Sequence, residues 1–155
     1  MNSRVVEMQN KYAEYAISLI AQGIMDDQFN RVQNMQDNSN PNFLSEILSS
    51  YLGDMPKLIH SLALDLQQQY VDFVKLDKTI HNIKGSSSSI GAICVLNACN
   101  AFVACCKEQD IEGCFKCWEQ TSNAFALVKL KLEALLILEQ QIRAAGGIVP
   151  KPVGY

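Results

Sequence analysis

Apolar residues recur at intervals of three and four through almost the whole chain, and this spacing restricts the fold to packed helices. The clearest stripe lies on a helix predicted from about Asp72 to Ala92, and its members are Phe73, Leu76, Ile80, Ile83, Ser87 and Ile90. Positions three or four apart share one face of an α-helix, so the stripe can be buried as a unit. No stretch alternates apolar and polar residues regularly enough to predict a strand. The sequence therefore predicts an all-α protein.

Turn and capping residues divide the chain into six predicted helices. Their approximate limits are 3–22, 26–36, 41–68, 72–92, 95–108 and 111–144. Asn40 is predicted to be the N-cap of the third helix, with Pro41 as its first residue. Within the third helix, Gly53 and Pro56 predict a kink or a short break. Gly91 predicts the boundary between the fourth and fifth helices.

The last helix carries a long apolar seam of the kind found in helical bundles. Its members are Cys114, Trp118, Thr121, Phe125, Val128, Leu132, Leu135 and Ile142. We expect the last four helices to form an antiparallel four-helix bundle, with two additional N-terminal helices packed against it. In this interpretation residues 1–145 form one domain, in which the N-terminal helices span about 3–36 and the bundle about 41–145. The tail 146–155 follows two consecutive glycines and is predicted to be flexible.

Composition and charge argue against several classes of protein. The net charge of −3 and the lack of a basic block predict no nucleic-acid partner. No apolar run approaches the ~20 residues that cross a bilayer, so no membrane association is expected. The polar, amphipathic N-terminus does not read as a signal peptide. The six cysteines are therefore expected to be reduced, and the expected location is cytoplasmic and nuclear.

One short segment departs from helical composition while keeping helical spacing. Residues 81–92 read His-Asn-Ile-Lys-Gly-Ser-Ser-Ser-Ser-Ile-Gly-Ala. Glycine and serine are weak helix formers, so a run of them in mid-helix indicates that a functional requirement outweighs helix propensity. On a helical wheel, one flank holds the residues at i, i+3, i+4 and i+7, which are His81, Lys84, Gly85 and Ser88. That flank borders the core and can reach solvent.

The chemistry of this flank suits phosphoryl transfer. A neutral imidazole is a good nucleophile near pH 7, because an unperturbed histidine has a pKa of ~6.5. Lys84, one turn from His81, can place an ammonium beside phosphoryl oxygens and offset their charge. Gly85 removes a side chain beside the nucleophile and lets another protein approach closely. The other histidine, His60, lies among leucines and isoleucines without such a pattern and is assigned no role.

The segment 81–92 resembles the signature of plant histidine-containing phosphotransfer proteins, whose usual form is His-Gln-Leu-Lys-Gly-Ser-Ser-Ser-Ser-Ile-Gly-Ala. The resemblance covers nearly the whole chain and includes the segments 23–29, 39–43, 71–73, 97–99, 138–141 and 146–147. It implies a phosphocarrier in a multistep His-Asp phosphorelay. Such a protein accepts a phosphoryl group from the receiver domain of a hybrid sensor histidine kinase and passes it to an aspartate of a response regulator. It also implies a role in cytokinin signalling.

The resemblance implies roles for individual residues as well. His81 corresponds to the phosphoacceptor and Lys84 to the lysine that stabilises the phosphate. Gly85, Ser88 and Asn82 are expected to contact the partner. No P-loop or kinase glycine loop occurs, so the chain is not expected to be an enzyme with ATP-dependent kinase activity of its own. No cofactor or metal is expected on this chain, Mg²⁺ is expected on the partner receiver domain, and the protein is expected to be a monomer.

The sequence departs from the family pattern at several positions. Asn82 and Ile83 replace the usual glutamine and leucine, which are mild changes. Just after the motif, the family commonly has a glutamine, an arginine and, two positions further on, a basic residue. This chain has Ile93, Cys94 and Leu96 there. The change reduces polar and basic contacts beyond the motif, which bears on partner preference and transfer rate.

Two alternatives stay open. Cys114 and Cys117 form a C-x-x-C pattern that follows the pair Cys105 and Cys106, and a zinc or redox site could use such cysteines. Their helical placement favours buried core thiols over four converging metal ligands. The second alternative concerns function: the chain could be a helical adaptor that binds receiver domains without carrying phosphate. The presence of His81 favours the phosphocarrier.

Overall fold

The computed structural model describes residues 2–154, and α-helices dominate them. The helices are α1 (Ser3–Ala21), α2 (Asp27–Asn34), α3 (Phe43–Leu66), α4 (Phe73–Ile90), α5 (Ile93–Lys107) and α6 (Ile111–Ala144). No strand forms in this part of the chain, where an isolated bridge joins Asp37 and Asn40 in the turn before α3. The all-α prediction is confirmed.

The last four helices form a closed ring of contacts. Helix α3 packs on α4, α4 on α5, α5 on α6, and α6 packs back on α3. Short connections join consecutive members of this ring, so neighbouring helices run antiparallel. Helix α1 lies against α6 and α2 lies against α4. The predicted four-helix bundle with two additional N-terminal helices is confirmed. Within residues 2–154, no helix combines the length and the apolar character needed to cross a membrane.

The apolar stripes predicted from the sequence face the interior. On α4 the buried members are Leu76, Ile80, Ile83, Ser87 and Ile90, and Phe73 packs at the edge of the core. On α6 the whole predicted seam is buried apart from Trp118, which is half-buried. The indole nitrogen of Trp118 donates a hydrogen bond of 2.8 Å to the carbonyl of Ile59 on α3. Burial of the two stripes therefore leaves the opposite faces of α4 and α6 exposed to solvent.

Gly91 ends α4 and packs against the start of α2. Its φ of 83° is left-handed, which glycine adopts without a steric penalty. The amide of Asp26 donates a hydrogen bond of 2.8 Å to the Gly91 carbonyl. A Cβ at Gly91 would lie 2.6 Å from both Asp26 Oδ1 and the backbone nitrogen of Phe29. The predicted helix boundary at Gly91 is confirmed, and the start of α2 packs directly against it.

The third helix begins later than the sequence predicts. Its N-cap is Asn42 and its first residue is Phe43, so the prediction of Asn40 as N-cap and Pro41 as first residue is wrong. The carboxylate of Asp37 accepts a hydrogen bond of 3.0 Å from the Asn40 amide. Asn40 is therefore held in the preceding turn, and the helix starts only after that turn closes.

Gly53 and Pro56 do not interrupt α3. The helix is one element from Phe43 to Leu66, so of the two predicted alternatives the short break is wrong. Both residues are exposed, whereas Tyr51 and Met55 on the opposite face are buried. Burial of the apolar face continues past the two weak helix formers and outweighs their low propensity. Pro56 lies on the exposed face, so its ring displaces no core contact, and the kink stays a prediction.

The segment after α6 lies against the N-terminal helix. The side-chain amide of Gln9 on α1 donates a hydrogen bond of 2.8 Å to the carbonyl of Ile148, and Val149 packs against the core. These contacts hold Ile148 and Val149 against the rest of the protein. The flexibility expected for 146–155 stays a prediction, and its last residue, Tyr155, lies outside the described residues, as does Met1.

Candidate functional site

The flank predicted from the motif lies on the solvent-facing side of α4. The side chain of His81 is 51% exposed, although the neighbouring Ile80 is fully buried. One turn further on, Lys84 is half-buried and Gly85 is exposed, and Ser88 is exposed one turn beyond them. Asn82 is also exposed. The α4 stripe anchors the helix in the bundle, so the histidine is presented to solvent from a rigid element.

Asp77 makes an ion-pair contact with His81 that was not predicted from the sequence pattern. Its Oδ2 lies 3.4 Å from Nε2 of His81, and it precedes the histidine by one helical turn. The signal was present, because an acid four residues before a histidine shares its helical face. The carboxylate can hold the imidazole in one orientation. It would repel a phosphoryl group on the same nitrogen, so the ring or the carboxylate must turn if Nε2 is phosphorylated.

The other oxygen of Asp77 points into the protein. Oδ1 is buried, and no hydrogen-bond partner for it lies within the described residues. The thiol of Cys106 on α5 is close enough that the Asp77 carboxylate adds to the rise in its pKa, which is mainly caused by burial. Asp77 thus lies at the junction of α4 and α5, between the core and the histidine.

Lys84 also lies at the junction of α4 and α5, one turn after His81. Burial raises the pKa of Cys99 on α5 to about 12, and the nearby Lys84 ammonium opposes that rise. No carboxylate pairs with Lys84 among residues 2–154, in contrast to the ion pair that Lys75 makes with Asp65 at 3.2 Å. Its charge is therefore uncompensated beside the histidine and available to an incoming anion.

Gly85 is not required by the fold. It lies in regular helix, and a Cβ built on it would meet no atom within 4 Å. A glycine in a helix interior costs about 1 kcal/mol relative to alanine, so this position gives up stability without relieving any internal clash. The space left open is on the outside of the protein, one turn from His81. The glycine therefore suits close approach by another molecule.

The four serines have separate structural roles. Ser87 is buried, as the α4 stripe predicts, and its hydroxyl is 2.8 Å from the hydroxyl of Tyr51 on α3. The hydroxyl of Ser89 donates to the carbonyl of Ser86 at 2.7 Å. Ser88 is exposed on the flank. Sequence patterning placed Ser87 in the core, but it carried no signal for Tyr51 as the partner, because that contact joins residues far apart in the chain.

The remaining sequence-predicted residues lie on α5 and α6. Cys114 and Cys117 are buried on α6, which agrees with a core placement. Within residues 2–154, no three or more histidine, cysteine or acidic side chains are arranged to hold a metal ion. At the start of α5, the three departures from the family pattern, Ile93, Cys94 and Leu96, are all half-buried.

Comparison with known proteins identifies the family. The family model for the Hpt domain matches residues 46–144, which are the bundle helices except for the first turn of α3. The chain belongs to the Hpt family. Histidine-containing phosphotransfer protein 1 of Arabidopsis thaliana is 44% identical over 94% of this chain and 95% of its own length. The resemblance predicted from the sequence is thereby confirmed.

A solved Hpt structure and a second relative extend the comparison. The X-ray structure of a histidine-containing phosphotransfer protein from rice matches with a TM-score of 0.85 and 32% identity, over 90% of this chain and 99% of that one. Another rice relative, named pseudo histidine-containing phosphotransfer protein 2, is 34% identical over 81% of this chain and 83% of its own length. As a histidine phosphotransfer protein, this chain has the general role of a phosphocarrier in a phosphorelay.

Proposed function

We propose that His81 is the phosphoacceptor, and that it takes a phosphoryl group from the receiver domain of a hybrid sensor histidine kinase. The group then passes to an aspartate of a response regulator. One observation carries the proposal: a half-exposed histidine shares a flank of α4 with an unpaired ammonium and with a glycine that the fold does not need. Nucleophile, charge and open space therefore lie together on one rigid helix.

The transfer can be written from these groups. An imidazole nitrogen of His81 attacks the phosphorus of the receiver's phosphoaspartate, a nitrogen–phosphorus bond forms, and the aspartate leaves as a carboxylate. The second transfer runs the same steps in reverse on the response regulator. Lys84 offsets the charge on the phosphoryl oxygens during both transfers. The chain uses no ATP, cofactor or metal of its own in this scheme, because Mg²⁺ is bound by the receiver domain.

The partner surface in this proposal surrounds the histidine. Gly85 lets the receiver's aspartate come close, and the exposed Ser88 and Asn82 offer hydrogen-bonding groups to it. The protein acts as a monomer in the cytoplasm and the nucleus and serves cytokinin signalling. The family resemblance supports these assignments, and none of them requires a nucleic acid or a membrane.

A helical adaptor that binds receivers without carrying phosphate is the second candidate. The similarity to a relative whose name begins with "pseudo" favours keeping it. In the adaptor hypothesis, His81 has no covalent role and the α4 flank only docks. The two candidates therefore predict equal binding of a receiver and opposite results for labelling.

Incubation with a receiver domain carrying labelled phosphate tests the proposal. The parent protein should become labelled, His81→Gln should not, and both should bind the receiver with similar affinity in calorimetry. His60→Gln is the matched control, because His60 is the other histidine, is exposed, and lies on α3. It should label like the parent. Binding without labelling of the parent would establish the adaptor, and full labelling of His81→Gln would refute His81 as the acceptor.

A further inference from the structure

Two thiols from different helices touch near the turn between α5 and α6. The Sγ atoms of Cys105 on α5 and Cys117 on α6 are 3.7 Å apart, and neither cysteine forms a disulfide. Two other thiols instead contact carbonyls: Cys106 donates to Phe73 at 3.3 Å and Cys94 to Ala124 at 3.8 Å. The pair Cys105 and Cys117 therefore differs from these thiols in facing another sulfur.

The local packing brings the two sulfurs together. Gly113 precedes Cys117 by one turn of α6, and a Cβ at Gly113 would lie 2.9 Å from the Cys105 sulfur. The glycine thus makes room for that sulfur against the first turn of α6. The amide of Asp110 donates a hydrogen bond of 3.0 Å to the Cys105 carbonyl, which ties the end of α5 to the start of α6. The contact is built into a hydrogen-bonded turn.

The two thiols differ in access. Cys105 is half-buried, so a small molecule in solution can reach it, whereas Cys117 is 6% exposed. Burial raises the pKa of Cys117 to about 11, and the hydrogen bond with Cys105 contributes to that rise. The thiolate is the reactive form, so Cys117 reacts slowly near neutral pH and faster in alkaline buffer. A small oxidant is therefore expected to react first with Cys105, and Cys117 is expected to react second, with the oxidised Cys105.

We propose that Cys105 and Cys117 are a site of oxidation by hydroperoxides, which converts the two thiols into a disulfide between α5 and α6. The Cys105 thiolate attacks a peroxide oxygen, the O–O bond breaks, and a sulfenic acid and hydroxide form. The Cys117 thiolate then attacks that sulfur, and the oxygen leaves as hydroxide. In sum, two thiols and one hydrogen peroxide give one disulfide and two water molecules. The sulfurs must approach from 3.7 Å to about 2.05 Å.

Peptide mapping of the oxidised protein tests this inference. Reduced, dilute protein is treated with hydrogen peroxide at pH 8.5, blocked with N-ethylmaleimide and digested with trypsin without reduction. Cleavage after Lys84, Lys107, Lys116 and Lys129 leaves Cys117 as the sole cysteine of peptide 117–129 and separates it from Cys114. We expect a cross-link between peptides 85–107 and 117–129. The number of thiols that can be alkylated in denaturant should fall by two, from the six of the reduced chain.

Serine variants identify the partners. Cys105→Ser and Cys117→Ser should each abolish the cross-link, whereas Cys106→Ser and Cys114→Ser, at adjacent or nearby buried thiols, should keep it. If Cys117→Ser unfolds the chain, as seen by circular dichroism, Cys105→Ser at the half-buried cysteine is the decisive variant. Six alkylated thiols after oxidation, or an unchanged cross-link in Cys105→Ser, would refute the site. The inference is independent of the proposed phosphotransfer, and either can fail alone.

Discussion

The middle and the end of α4 each contain a glycine, and the two glycines have opposite relations to the fold. At Gly91 the backbone is left-handed and a Cβ would collide with the start of α2. At Gly85 the backbone is helical and the space outside is empty. The fold explains Gly91 completely and does not explain Gly85. A residue type that costs stability and serves no internal contact points to a molecule that arrives from outside.

The strongest test of this comparison is Gly91→Ala, which should destabilise the protein by roughly 2–5 kcal/mol. The estimate adds a left-handed backbone penalty to the displacement of the Phe29 amide. Gly23→Ala is the matched control, because Gly23 also has a positive φ but would meet no atom within 4 Å. It should cost about 1–2 kcal/mol. Chemical denaturation measures both, and equal losses would show that the contact with α2 contributes nothing.

Gly85→Gln should separate stability from function. The free energy of unfolding should stay equal or rise by up to about 1 kcal/mol, because glutamine is a better helix former. Phosphotransfer from a receiver should fall on the order of a hundredfold, since the new side chain holds the receiver's aspartate away from His81. Gly53→Gln on α3 is the control, because it is also helical, exposed and free of contacts. It should gain similar stability and keep the parental transfer rate. Parental transfer by Gly85→Gln would contradict the close-approach explanation.

Lys84→Ala should act on charge and leave the open space unchanged. We expect transfer to slow by about tenfold, or the phosphohistidine to hydrolyse correspondingly faster, because a charge-assisted contact worth about 1.4 kcal/mol is lost. Binding of the receiver should remain mostly intact. Lys129→Ala, at an exposed lysine on α6, removes the same charge at a distance and should have no effect. Stopped-flow transfer with both variants distinguishes a local role from a general loss of positive charge.

The smallest effect is expected at Asp77. Asp77→Ala should lower the transfer rate by about two- to fivefold, because it removes an orienting contact worth at most about 1 kcal/mol in an exposed ion pair, whereas the repulsion of the phosphoryl group is already avoided when the ring or the carboxylate turns. Asp77→Asn keeps an oxygen acceptor of the same size and should lose less. An Asp77→Asn variant that is slower than Asp77→Ala would show that the carboxylate does not act by orienting the ring. Rates measured at a single pH with one receiver are sufficient.

The sequence predicted the parts of this structure that depend on one helix at a time. Helical spacing identified the buried stripe on α4 and therefore the exposed flank of His81. It could not identify Tyr51 as the partner of Ser87, because that hydrogen bond depends on how α3 and α4 pack. Asp77 shares a helical face with His81 at a spacing of four residues, so helical spacing was sufficient to identify it.

The third helix shows the limit of local signals. Gly53 and Pro56 predict a kink or a short break by propensity alone, and the helix continues without a break because burial of Tyr51 and Met55 on the opposite face outweighs that preference. The predicted first residue of α3 was also wrong. Several residues of the preceding turn are of types that can cap a helix, and residue type alone does not show which of them does. At the site, the residue types were sufficient to predict phosphoryl transfer. The open space beside Gly85 and the lack of a carboxylate partner for Lys84 among the described residues depend on the three-dimensional structure and could not be predicted from the sequence.

The hydrogen bond from the Asp26 amide to the Gly91 carbonyl bears on where the cooperative folding unit ends. The Hpt domain match begins at residue 46, yet the C-terminal end of α4 obtains part of its shielding from the start of α2, outside that match. A fragment containing the bundle alone would expose the Gly91 carbonyl to water and leave the last turn of α4 to fray. The helix that carries His81 is therefore held at one end by residues that the domain boundary leaves out, and hydrogen exchange at Ile90 and Ala92 should quicken when they are deleted.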